Sequence, residues 1–180
     1  MVLVAVGGFF PSYWAKVATG ETVGAPILYF HGTLFSASTL FLFAQSLLVA
    51  NGQVTRHRAW GMAGISLATA MALSVVPAVL NTIRVAEGIG VGDAARLFAV
   101  VPLLGLVVWV SFVTLAIGNV SKPDIHKRLM ILATTSMLQA AMGRVFKMIL
   151  APGSGHEPIP VALALPAAGV VDMLVVAAMI

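Results

Sequence analysis

"PILYFHGTLFSASTLFLFAQSLLVA", residues 26–50, runs for 25 positions without an Asp, Glu, Lys or Arg. As a helix it rises about 37 Å, enough to cross the roughly 30 Å hydrocarbon core of a bilayer. Pro26 suits the first helical turn, where a backbone N–H has no intrahelical partner to lose. Outward from this stretch the same kind of apolar run recurs. Spans are expected at about 1–17, with Pro11 inside it, and at about 26–50, 56–80, 94–118, 125–149 and 159–180. Polar connections separate them: "ATGETVGA", "NGQVT", "NTIRVAEGIGVGDA", "GNVSKPD" and "APGSGHEPIP". The segment 81–94 is the longest of these before span five and reads as a loop. Thr55, Asp93 and Asp124 are the expected N-caps of spans three, four and five. The fold class is therefore all-α: a polytopic membrane helix bundle of about six transmembrane helices in one domain, 1–180.

Composition leads to the same class. Of 180 residues, 60% are apolar and only 9% charged, whereas a soluble domain carries about a quarter charged residues. Mean hydropathy is +1.04. The absence of cysteine excludes disulfides, thiolate metal sites, iron–sulfur clusters and cysteine nucleophiles. The ten Lys and Arg sit mostly at helix ends, which points to anionic lipid headgroups as partner and away from nucleic acid. The N-terminus is apolar from Val2, with no basic region and no small-x-small cleavage pattern, and is expected to remain as a helix. The chain stops in "VVAAMI" without a polar anchor, so a longer natural product is expected. No P-loop, dinucleotide-binding, zinc-protease or nucleophile-elbow pattern occurs.

Two stretches carry the chemistry worth weighing. "QVTRHRAWGMAGISLATAM" (53–71) and "VSKPDIHKRLMILATTSM" (120–137) both run from a turn into an apolar helix with a histidine and cations at its foot. Arg58, Lys127 and Arg128 read as headgroup anchors, at about 1 kcal/mol per cation near an anionic surface. His57 and His126 lie at similar depth at the starts of two spans. The positive helix N-terminus and the neighbouring cations disfavour their imidazolium forms, keeping a ring nitrogen free as a ligand. Two such rings can clamp haem iron or another metal, so they are expected within about 10 Å of one another. The competing reading of each alone is a ring that bonds a loop carbonyl or faces headgroups. The two hairpins also hint at an internal duplication or at one interface chemistry used twice. Their short basic turns favour the cytoplasmic side, with both termini cytoplasmic.

Further polar groups lie within the spans. His31 sits about one turn inside span two and needs a partner there. Arg144, about eighteen residues into span five, falls near the level of His31. Asp172 in span six is expected to face the bundle interior and meet Arg58, Arg128 or the inner histidines, too far in depth from Arg144. Gln45 and Gln139 suit interhelical hydrogen bonds. His156 is a loop residue, and the scattered methionines read as packing.

Taken together, "GGFFPSYW", "YFHGTLFSASTLFLFAQSLLVANGQVTRHRAWG" and "DIHKRLMILATTSMLQAAMGRV" resemble a group of small bacterial membrane proteins of uncharacterised function. The resemblance covers most of the chain. It implies a site drawn from Tyr13, His31, Gln45, His57, Arg58, Gly61, His126, Lys127, Arg128 and Arg144, and a place in the bacterial inner membrane, but no reaction. More distantly, histidines at helix ends are similar to those of small membrane proteins that handle haem or assemble oxidases. Three readings follow. One is a cofactor-binding protein holding haem or a metal through His57, His126 and His31. The second is a non-catalytic accessory subunit of a larger membrane complex, with other membrane subunits or itself as partner. The third is a small transporter, with Arg144 and His31 at one gate and the basic cluster of the two short turns at the other.

Overall fold

In a hydrocarbon core no water is present to bond backbone N–H and C=O groups, so each apolar run must satisfy its own backbone as a helix. The computed structural model describes residues 2–150, together with Gly169 and Met173. Within residues 2–150, five helices are long and apolar enough to cross a membrane. They are α1 (Val2–Thr19), α2 (Pro26–Ala50), α3 (Val54–Gly88), α4 (Gly92–Gly118) and α5 (Pro123–Leu150). The expected sixth span, with His156 and Asp172, lies outside the described residues.

Each helix packs on its sequence neighbour, and α1 packs on α5, which closes the five into a ring. Helices α2, α3 and α5 each turn one face toward the interior of that ring. Its centre is filled by Met71 of α3, Trp109 of α4 and Ala133 of α5, with Leu34 and Phe35 of α2 and Met137 of α5 against them. The periphery is apolar instead of polar: Phe30, Leu40, Leu73, Leu97 and Leu104 are all exposed. A soluble protein does not carry so continuous an exposed apolar surface, and in a bilayer it is the face offered to lipid. The protein is a multi-pass helical membrane protein.

Two local expectations are corrected. Segment 81–94 is not a loop: α3 continues through Pro77 to Gly88, and only Ile89–Val91 separate it from α4. Ala86 is buried along that extension, as Ala78 is just before it, so packing carries the helix past the point where its outer face becomes polar. At 35 residues α3 is about 52 Å long, and its end projects beyond the hydrocarbon core. Secondly, helices α3 and α4 start one residue ahead of the supposed caps, at Val54 and Gly92, without side-chain capping. Asp93 and Asp124 instead occupy first helical turns, where carboxylates complement the helix dipole, and pair with Arg96 and Lys127. The first span is where the sequence put it, with a π turn interrupting the helix at Phe10–Trp14. Pro11 has no N–H to donate, and the wider turn takes up that missing bond.

The α1–α5 contact depends on Gly8. A Cβ built there would stand 2.5 Å from the Ala141 carbonyl oxygen and 2.8 Å from its Cα, whereas Gly7 faces open space. In lipid, helices associate through close van der Waals packing, so this backbone approach is what seats α1. Gly8→Ala is predicted to lower the thermal midpoint in detergent, at a cost of about 1–3 kcal/mol from overpacking. Gly7→Ala, the control on the open side, should leave it unchanged or slightly raised.

Candidate functional site

His57 and His126 are each the fourth residue of their helices, and each backbone N–H bonds the carbonyl four residues earlier, Gln53 and Lys122 respectively. The same register at two helix starts puts the rings at one depth. They meet across the interior, with ring centroids 6.3 Å apart and planes 76° from parallel. This lies inside the separation expected from the sequence. Both rings are partly buried, while Arg56, Arg58, Lys127 and Arg128 around them are exposed. Cations outward and imidazoles inward is the division of labour that the two helix feet suggested.

Hydrogen bonding fixes the chemistry of His126. Its Nδ1 lies 2.8 Å from the Ala116 carbonyl oxygen, the last turn of α4. A carbonyl only accepts, so Nδ1 carries a proton, which in the Nδ1–H tautomer leaves the lone pair on Nε2. A backbone carbonyl on the far nitrogen is the usual way a ligating histidine is oriented. His57 differs. Its Nδ1 is enclosed without a hydrogen-bond partner, as is Oε1 of Gln45 in α2, which is itself buried. The Gln45 backbone lies next to the His57 ring, so α2 contributes to the same end of the interior. Buried polar atoms without a partner are costly and rare, so each asks for an explanation.

The opposite end is built from the same three helices. His31 of α2 has its Nδ1 2.9 Å from Oγ of Ser74 in α3, and Ser74 Oγ donates to the Met71 carbonyl at 2.7 Å. With the hydroxyl proton so committed, Ser74 must accept from His31, and Nδ1 of this ring too bears the proton. Phe35 lies against the His31 ring at 4.3 Å between centroids. Arg144 of α5 donates from Nη1 to the Ala140 carbonyl at 3.0 Å and lays its guanidinium over the Phe9 ring, 4.3 Å from the centroid. Its charge is close enough to act on His31, as the shared depth of the two residues implied. Tyr13, delivered by the π turn, packs its ring onto Gly32 and places its hydroxyl 3.2 Å from the Tyr29 carbonyl oxygen and 3.3 Å from Thr33 Oγ1.

The structure thus brings His57, His126 and Gln45 together at one end, and His31 and Arg144 at the other. Arg58 and Arg128 stand exposed at the first end, and Asp172 lies outside the described residues. Sequence reasoning missed Ser74, the Ala116 carbonyl and Phe9. Ser74 had a signal, as the lone hydroxyl in "MALSVVPAVL", on the same helical face as Met71 and Ala78. A backbone acceptor such as Ala116 leaves no mark in the sequence. Among the described residues no group of three or more His, Cys, Asp or Glu could hold a metal ion. Compared with protein-family models, curated proteins and solved structures, the chain matches none of them.

Ser74→Ala removes the acceptor of the His31 Nδ1 proton seen among the described residues. It is predicted to destabilise the protein by about 1–3 kcal/mol, the cost of an unsatisfied buried donor. Ser66→Ala, on an exposed hydroxyl of the same helix that bonds only its own backbone, should change the thermal midpoint little.

Proposed function

We propose that the protein binds a transition-metal centre, haem iron foremost, between His57 and His126, in a redox or cofactor-handling role. The observation that carries this reading is the 6.3 Å meeting of the two imidazoles across the bundle interior. At this spacing both rings would reach a single metal held between them and would supply its imidazole ligands. The Nδ1–H of His126 held by Ala116 leaves the other nitrogen for the metal, and the enclosed, unpartnered Nδ1 of His57 is consistent with a ring whose bonding is completed by a ligand. Two histidines with no third protein ligand among the described residues favour haem over a bare ion. A bare zinc site asks for three or four protein ligands, whereas a porphyrin brings its own four equatorial nitrogens. His57 and His126 would hold the iron, Gln45 would offer its amide to that end of the site, and the exposed cations would anchor the surrounding helix ends to lipid.

The similarity of the His-Arg and His-Lys-Arg motifs to small bacterial membrane proteins supports a bacterial inner-membrane location. The short basic turns favour the cytoplasmic side for the His57 and His126 end.

Protein purified in mild detergent, examined by absorption spectroscopy and metal analysis, tests the reading. A haem spectrum at about one haem per chain is predicted, lost in His57→Ala and in His126→Ala and retained in Lys127→Gln. A colourless, metal-free protein that gives no ligated spectrum when titrated with haemin would overturn it. If such protein co-purified with a stoichiometric membrane partner, the accessory-subunit reading would take its place.

A further inference from the structure

Arg144 is a guanidinium in a membrane-crossing helix, and among the described residues no carboxylate pairs with it. His31 is five residues from Pro26, the first of α2, so it sits about 7–8 Å inside that helix end, near the level where hydrocarbon gives way to headgroups, and the charge of Arg144 reaches it there. The surroundings are constructed rather than incidental. Phe9 supports one face of the guanidinium, Gly8 brings α1 against Ala141 one turn away, and the π turn of α1 sets Tyr13 on Gly32 beside His31. One Arg144 nitrogen is committed to Ala140, which leaves most of the planar fork of donors for an oxyanion.

His31 adds a second requirement. With Nδ1–H given to Ser74, the Nε2 of the neutral ring can only accept, and no described residue is seen to bond it. A molecule that satisfies both groups presents an anionic oxygen to Arg144 and a hydroxyl donor to His31. We propose that this end of the bundle, between α1, α2 and α5, is a binding site for the phosphate of an anionic phospholipid whose headgroup carries a free hydroxyl, of the phosphatidylglycerol kind. A lipid is the source the position selects, because the site lies at headgroup depth beside an apolar, lipid-facing surface. The proposal does not depend on what lies between His57 and His126, at the other end of the same helices.

The test compares thermal midpoints of detergent-solubilised full chain on adding short-chain phosphatidylglycerol, phosphatidylmethanol (the same charge without a headgroup hydroxyl), phosphatidylcholine or inorganic phosphate. Phosphatidylglycerol should stabilise saturably, at several-fold lower concentration than phosphatidylmethanol, with phosphatidylcholine and inorganic phosphate having little effect. Arg144→Gln should abolish the response to both anionic lipids. His31→Phe should remove the preference for phosphatidylglycerol over phosphatidylmethanol. Arg128→Gln, at the other end of α5, should leave the response intact and so separates this site from general attraction to cations. Should Arg144→Gln fail to fold, Phe9→Leu is expected to weaken the response several-fold by releasing the guanidinium. A phosphatidylglycerol response no stronger than that to phosphatidylcholine, one that survives in Arg144→Gln, or one matched by inorganic phosphate would overturn the proposal.

Discussion

A polar side chain that cannot reach water must be satisfied inside the bundle, and the arrangement of this protein follows from that constraint. Its surface is given over to lipid, with large apolar residues exposed on every helix. Imidazoles, guanidinium and hydroxyls at spanning positions therefore have only one another, the backbone and a ligand to bond. The ring of five helices provides an interior in which they meet, at two levels. Counting along the helices, His31 and Gln45 are about 21 Å apart, His57 and Ser74 about 25 Å, and His126 and Arg144 about 27 Å. Helices α2, α3 and α5 thus each give one group to either end, with the apolar cluster of Met71, Trp109 and Ala133 between them.

The two ends share a bonding logic. In each, a histidine donates from Nδ1 to a fixed oxygen, the Ala116 carbonyl or the Ser74 hydroxyl. Neither acceptor can reverse the direction of the bond, because one is a carbonyl and the other has committed its proton to Met71. What differs is the company. His126 meets a second imidazole, the arrangement on which the proposed ligated centre rests. His31 feels the charge of Arg144, the arrangement on which the proposed anion site rests. Helix α1 contributes only to the second, and its irregularity has its use there: the π turn and the glycine contact bring Phe9 and Tyr13 to Arg144 and His31.

Much of this was legible in the sequence because hydrophobic run length is so direct a signal. The bounds of α2 were readable to the residue from Pro26 and the "NG" turn. The meeting of His57 and His126 was readable as well, since both follow a tight turn by the same interval. The true end of α3 was not. Asn81, Arg84 and Glu87 look like loop residues, but their helix is held by alanines on the opposite face, and a one-dimensional reading weighs the polar side more heavily. The caps failed for a related reason: an Asp near a helix start serves equally as cap or as first-turn residue, and only the backbone decides. The partners of His31 and Arg144 come from other helices, so they become visible only once the ring closes.

The central claim is that His126 and His31 each carry a proton on Nδ1, held to a fixed oxygen, and are poised at Nε2. Nitrogen-15 NMR of histidine-labelled, cofactor-free protein in detergent reads the proton position on each ring directly. Assigned through single His→Gln variants, His126 and His31 should each show a protonated Nδ1 and a bare Nε2. A proton on Nε2 with bare Nδ1 in either ring would contradict the hydrogen-bond assignment on which both ends of the account are built.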